Sequence, residues 1–352
     1  MSCPSSHGKQ DCQVDFALLI VRRLIGLVSV MLGIAVVTFV VTRLVPSDPA
    51  RQIAGLGASP HAIQQVRVQL GLDKPVLTQF WSYLDGLVHL DFGTSYVTNH
   101  SVLSDIGDRL PATLELAFVA VLLYVVISLL LGTLAAASRS RWQQNTIRIA
   151  TLAGSSIPPY WLALVLQVVF YSFLGWLPPG GRLPIGTLPD ARVTGFYLID
   201  STIALDPATF WNALQCLVLP AASLVLTNVG SLTRLVRVQV LQERSTDYVS
   251  VLRARGIGRR RIMSRHVLPN AVNPVVTVAG MQVGFLIGGT IYIEKIFQWP
   301  GLGSYTWDAI VAGDYPAVSA VAIVLSGVFV LITLVVDVLQ YLLDPRARLA
   351  RV

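Results

Sequence analysis

The chain has 352 residues, of which 54% are hydrophobic and only 13% charged, with a formal net charge of +7. A soluble globular domain carries about 25% charged residues, so this chain lacks the charge to face water on all sides, and its apolar remainder is assigned to lipid. Nucleic acid is excluded as a partner, because the basic residues lie between apolar runs and no binding motif accompanies them.

The chain opens on a polar tail, residues 1–23, carrying Cys3, His7 and Cys12. Its composition reads as solvated and disordered rather than as a metal site. With Cys216 the cysteines number three, at spacings that imply neither a disulfide framework nor metal ligation. Six long stretches then lack Asp, Glu, Lys and Arg: 24–42, 116–138, 149–181, 208–233, 267–293 and 315–336. A bilayer core takes about 20 apolar residues per helix, and backbone in lipid must satisfy its own hydrogen bonds. The stretches therefore read as six transmembrane helices of an all-α membrane protein, over about 24–45, 114–138, 149–174, 210–234, 270–294 and 315–342. The first is too long, and too poorly flanked by a cleavage site, for a removable signal peptide. The third is expected to kink at Pro158 and Pro159, or to have an irregular entry there. Trp142, Trp176, Trp211 and Tyr341 fall near span ends, as aromatic belts do.

The outer segment 46–111 carries two helical signals. Ser59 and Pro60 form a start, Ala62, Ile63, Val66 and Leu70 a stripe, and Gly71 a stop. Val76, Phe80, Leu84 and Leu87 form a second stripe after Pro75. A hairpin follows, either docking a soluble partner or capping the bundle. Residues 182–210 read as a structured loop. With both termini inside, 18 of the 26 Lys and Arg fall on the cytoplasmic side, which satisfies the positive-inside rule.

Nine of those arginines lie between 234 and 265, around a loop at 245–268. There Asp247, Tyr248, Val249, Leu252, Arg253, Ala254 and Arg255 make a short helical run, with Ser245 or Thr246 as cap. Val249 and Leu252 share a face with Tyr248 and Arg255 nearby. Gly256 and Ile257 follow, the glycine permitting a backbone that a side chain would obstruct. Two readings stay open on physical grounds: a plug for a groove on another protein, or a basic helix resting on anionic lipid. Among uncharged polar residues within spans, Gln167, Asn228, Gln239 and Gln282 could border a path, although such groups commonly join helices. Glu115, Glu294, Asp337 and His266 sit at span ends and are assigned structural roles.

The stretch Asp247 to Pro269 resembles the glycine-centred cytoplasmic loop of binding-protein-dependent ABC permeases. Gly256 and Leu268-Pro269 sit at the family spacing, while Ser250-Val251-Leu252 replaces the usual Glu-Ala-Ala. Pro46-Ser47-Asp48-Pro49-Ala50, Leu70-Gly71-Leu72-Asp73-Lys74-Pro75, Asp91-Phe92-Gly93-Thr94-Ser95 and Arg109 to Leu116 narrow the resemblance to the dipeptide/oligopeptide/nickel branch. Glu294-Lys295-Ile296-Phe297-Gln298-Trp299-Pro300-Gly301-Leu302-Gly303, Asp314-Tyr315-Pro316 and Leu343-Asp344-Pro345-Arg346 do the same. The resemblance implies a type I importer permease in a bacterial inner membrane, the first of two permease subunits. It further implies a second permease, one or two ATPase subunits and an extracytoplasmic solute-binding protein as partners, with peptide, glutathione or nickel as solute. No cofactor is expected on this chain. A phosphate-binding loop needs Gly-Lys-Ser/Thr, and Lys9, Lys74 and Lys295 have no such context, so ATP and magnesium are assigned to a partner and the chain is not read as an enzyme. The reading from another class, an ATP-independent channel or secondary transporter, would need buried carboxylates or paired broken helices.

Overall fold

A computed structural model describes residues 21, 25–41, 49–54, 57–69, 71–184, 186–187 and 193–343. Among them the fold is helical, with one isolated bridge between Thr94 and Ser101. The chain divides into two compact units, Met1–Gly107 with Thr306–Leu334, and Asp108–Tyr305 with Val335–Val352.

In the first unit, the described part of α1 (Ile25–Val41) is an apolar helix of 17 residues. Short α2 (Pro49–Ala54) is followed by α3 (Pro60–Gln69) and α4 (Val76–Val88). The Ser59 hydroxyl accepts from Ala62 N at 3.3 Å, so α3 begins at a capped proline. Gly71 takes φ +63 and turns the chain toward α4. The unit also holds most of α14 (Tyr315–Leu343). Asp314 caps that helix through Ala317 N and accepts from Ser95 Oγ at 2.5 Å and Tyr96 N at 3.0 Å. Two separated sequence motifs, Asp91–Ser95 and Asp314–Pro316, thus form one joint.

The second unit is built on α5 (Val102–Ala137), α9 (Pro207–Arg244) and α12 (Leu268–Ile296). Leu116, Ala120 and Tyr124 of α5 share a core with Leu217, Leu224 and Leu232 of α9 and with Val275, Leu286 and Ile293 of α12. Against α9 lies α6 (Arg141–Ser156). A β-carbon on Gly230 would sit 2.5 Å from the Thr151 carbonyl oxygen. The two backbones therefore approach as only a missing side chain allows, the usual device where helices associate without a hydrophobic drive.

The break expected at Pro158 and Pro159 in the third stretch is a sharp bend between two helices. Residue Ile157 is extended (φ −96, ψ 132), as the residue before proline prefers. The chain turns through 102° into α7 (Pro159–Gln167) and a π turn (Val168–Phe173). Helices elsewhere outrun their apolar stretches, α9 reaching Arg244 and α5 starting at Val102. The loop at 182–210 contains α8 (Tyr197–Ile203). Among the described residues four helices are long and apolar enough to cross a membrane, or five crossings if the bent pair is one. The tail with Cys3, His7 and Cys12, Leu70, and the Asp344-Pro345-Arg346 stretch lie outside the described residues, as does the Tyr341 side chain.

Glu115 and Glu294 are helix caps. The Glu294 carboxylate, on α12, accepts from Thr113 Oγ1 at 2.8 Å and Ser304 N at 3.0 Å, which caps α13 (Leu302–Ala312). Glu115 accepts from Leu198 N at 2.8 Å at the start of α8 and pairs with buried Arg182 at 2.5 Å. Each carboxylate thus meets the positive end of another helix.

Candidate functional site

The loop at 245–268 grows directly from the end of α9. Ser245 and Thr246 turn the chain, their hydroxyls donating back to Gln242 O and Glu243 O at 2.7 Å each. Thr246 holds the N-cap position of α10 (Asp247–Ala254), with its side chain spent on that backward bond. At the other end Ile257 N donates to Leu252 O at 3.2 Å and Gly256 N to Arg253 O at 2.9 Å. This double closure is the Schellman ending, and Gly256 occupies its left-handed position at φ +77. No atom stands within 4 Å of a β-carbon built there. Glycine is therefore demanded by the backbone angle and not by crowding. The chain re-enters a helix at α11 (Arg259–Ile262) and passes through a π turn (Met263–Val267) into α12.

The faces of α10 separate cleanly. Val249 is fully buried, and Leu252 and Ile257 pack on the same core, so these three anchor the loop. Tyr248, Val251 and Arg255 follow at helical spacing on the open side, where Arg253, Ala254 and Gly256 are also exposed. Val249 and Leu252 do share a face, as the spacing predicts, and it is the inward one.

Three further contacts hold α10 to the bundle. The Tyr248 hydroxyl donates to Glu243 Oε1 of α9 at 2.6 Å, and Asn270 Nδ2 of α12 donates to the same oxygen at 3.1 Å and to the hydroxyl at 3.2 Å. Partial burial, with the Glu243 carboxylate beside it, raises the Tyr248 pKa, so the phenol stays protonated and donating. On the far side Arg244 donates to Ala136 O and Arg259 to Ala137 O, the latter at 2.6 Å. Those carbonyls belong to the last turn of α5, where cations complete the unsatisfied helix end. The loop is thus gripped by α5, α9 and α12 together. Tyr248→Phe removes one shared hydrogen bond to a charged group, worth about 1.5–3 kcal/mol. We expect faster amide hydrogen exchange in 247–257 with the transmembrane helices unchanged; equal exchange rates would deny the clasp.

Glu243, Arg244 and the pairing of Asn270 with Tyr248 escape a reading by spacing. The only sequence signal is a carboxylate and an arginine at the end of an apolar run. Of the polar groups proposed for a path, Gln167, Asn228 and Gln282 are engaged. Gln167 Nε2 donates to Pro179 O at 2.6 Å, and Asn228 Nδ2 to Leu224 O at 2.8 Å. Gln282 Oε1 accepts from Tyr124 OH of α5, and its amide donates to Ser231 Oγ of α9 at 3.2 Å. Gln239 is half-buried on α9, and His266 lends its carbonyl to Tyr248 at 3.3 Å. Among the described residues no group of three or more His, Cys, Asp or Glu could hold a metal ion.

Residues 128–349 match the family described as binding-protein-dependent transport system inner membrane component, and residues 16–117 match its N-terminal membrane-component family. A probable D,D-dipeptide transport system permease protein of Escherichia coli K12 is 43% identical over 92% of this chain and 96% of its own length. A dipeptide transport system permease protein of Alkalihalophilus pseudofirmus is 37% identical over 93% and 98%. A glutathione transport system permease protein of Salmonella choleraesuis is 36% identical over 94% and 98%. Among solved structures, a chain of the inward-facing MetNI methionine ABC transporter aligns with a TM-score of 0.49 at 18% identity, covering 66% of this chain and 93% of that one.

Proposed function

Because the chain belongs to the family of binding-protein-dependent transport system inner membrane components, we propose that it is a peptide-carrying permease subunit of an ATP-binding-cassette importer, working by alternating access. The observation that carries the coupling role is the construction of α10. Its inner face is buried, the helices on either side of it are pinned to α5 through Arg244 and Arg259, and Tyr248 ties it to α9 and α12. A helix held in this way moves as one body with the three transmembrane helices that grip it. Its open side (Tyr248, Val251, Arg253, Ala254, Arg255 and Gly256) is the surface offered to an ATPase partner. Closure of the ATPase pair would displace that surface and bias the helices between two global states.

The architecture that goes with this reading has six spans and both termini in the cytoplasm, with 18 of the 26 Lys and Arg inside. Its partners are a second permease, one or two ATPase subunits and an external solute-binding protein. ATP and magnesium belong to those ATPase subunits. Gln167, Asn228 and Gln282 would meet solute only in a conformation that exchanges their present hydrogen bonds. A neutral route of this kind suits varied peptides, with selectivity resting on the binding protein. Short peptides are favoured as cargo because relatives sharing over nine-tenths of the chain are named for dipeptide transport; glutathione is the second reading, from the relative named for it.

The test is uptake of labelled dipeptide in cells lacking the chain, with and without its restoration, competed by D,D-dipeptide, tripeptide, glutathione and nickel. Restored uptake supports the reading, and the competition order ranks the cargo. Restored uptake of glutathione alone would replace the peptide reading. Arg253→Glu together with Arg255→Glu reverses the charge of the open face. It is expected to abolish copurification of the ATPase while leaving the permease in the membrane; undiminished copurification would remove α10 as the docking element.

A further inference from the structure

Helix α4 is 13 residues long, about 20 Å at 1.5 Å per residue, and too short to cross a bilayer. At about 100° per residue its side chains divide into three arcs. Phe80, Tyr83 and Leu87 face the protein. Phe80 packs edge-on to Phe39 of α1 at 5.1 Å, and Tyr83 lies 5.8 Å from the same ring. Thr78, Ser82 and Asp85 form a polar arc open to water. Between them runs an apolar arc that no described residue of the unit covers, with Leu77 73%, Trp81 67% and Val88 80% exposed. A water-facing helix needs two arcs, and the third calls for a third medium.

Two contacts fix the depth at which α4 lies. The Tyr83 hydroxyl is 3.1 Å from Thr38 Oγ1, in the last described turn of α1, and Arg43, the charge that closes this apolar stretch, lies five residues further along the sequence. The same hydroxyl hydrogen-bonds Ser319, in the second turn of α14. Tyr83 thus bridges the end of one apolar helix and the start of another, at the level where both meet the headgroups. Burial of its ring, opposed by those two hydrogen bonds, raises its pKa and keeps the bridge protonated. The uncovered arc carries a tryptophan and no charge, the composition of an interfacial surface.

We propose that α4 is an in-plane membrane helix, its Leu77–Trp81–Val88 arc sunk into the headgroup–acyl boundary of a phospholipid bilayer. The lipid surface is therefore a direct partner of the hairpin. Lipid contact holds the hairpin at a fixed depth, and the Thr78–Ser82–Asp85 arc remains for any soluble partner. The inference requires only that α1 and α14 cross the bilayer. It is independent of cargo and of ATP coupling.

The test uses the full chain in its assembled complex, in phospholipid bilayers, with Cys3, Cys12 and Cys216 replaced. Nitroxides are attached after Leu77→Cys, Trp81→Cys and Val88→Cys on one arc, and Thr78→Cys, Ser82→Cys and Asp85→Cys on the other. All six positions are exposed, so the substitutions leave the packing of α4 on α1 intact. Collision with oxygen is expected to exceed collision with a water-soluble nickel chelate severalfold at 77, 81 and 88, with the order reversed at 78, 82 and 85. Nickel access at both arcs would overturn the proposal in favour of a helix in water. Exclusion of both probes from 77, 81 and 88 would overturn it in favour of a protein partner. Trp81→Phe gives a second measurement without a label: the emission quenched by brominated lipid should fall, and an unchanged quenched fraction counts against lipid contact.

Discussion

Gly256→Val is expected to disable ATP-driven uptake while leaving the permease in the membrane. The backbone there sits at φ +77 in open space, so the substitution meets strain rather than a clash. A left-handed conformation costs an ordinary residue about 1–2 kcal/mol, and a β-branched one is the more constrained. A cost of that size lowers the population of the closed loop by about 5–30-fold. Leu252 and Ile257 are the residues the closure brings together, so its loss frees the inner anchor of α10 as well as its outer face. Gly256→Asn separates this account from steric blockage of a partner, because asparagine tolerates the left-handed region yet fills the same space. Uptake retained with asparagine and lost with valine identifies the backbone as the cause. Loss with both assigns the position to contact with a partner, and retention with both removes the glycine from the mechanism.

Arg182→Ala carries the largest expected cost in stability. The guanidinium is buried, paired with Glu115 at 2.5 Å, and bonded to Gly195 O at 2.8 Å. Its flat face lies 3.6 Å from the centre of the Tyr197 ring. Removing one partner of such a pair leaves a buried charge uncompensated, at about 3–5 kcal/mol. The exposed His89–Asp85 pair at 3.6 Å offers the contrast, since surface pairs contribute about 0–1 kcal/mol. Thermal unfolding of the detergent-solubilised complex should show a large fall for Arg182→Ala. Arg182→Met with Glu115→Gln should recover much of it, because the glutamine still accepts from Leu198 N and no charge is stranded. A double variant as unstable as the single one would mean that the packing of Arg182, not its charge, holds α8 in place.

Much of the fold was legible because lipid imposes a coarse rule. Uncharged stretches of about 20 residues read as helices without knowledge of their neighbours. At 149–174 stretch length alone set no angle for the break at the prolines, which is a 102° bend. The angle depends on where α6 and α7 find partners on α9, and Pro158–Pro159 only permits it. Helix ends lie beyond the apolar stretches. The last ten residues of α9, half of them polar, continue as helix where Arg244 finds a carbonyl on α5 and Glu243 a phenol on α10. Such contacts are invisible to a window of hydropathy.

By itself, the amino-acid sequence determined that the chain belongs in a membrane, that its main elements are helices, and that a glycine-ended helix interrupts them on the basic side. Those conclusions follow from local physics: the scarcity of charge, the need to satisfy backbone in lipid, and the left-handed closure that glycine allows. Only the tertiary structure decided which side of α10 is inward, which groups clasp it, and which donors Glu115 and Glu294 meet. These depend in part on contacts between distant residues, such as Tyr248 with Asn270, 22 positions apart, and Thr113 with Glu294, 181 apart. No local pattern encodes such a pairing, because a buried carboxylate is satisfied by whichever donor the packed backbone brings within reach.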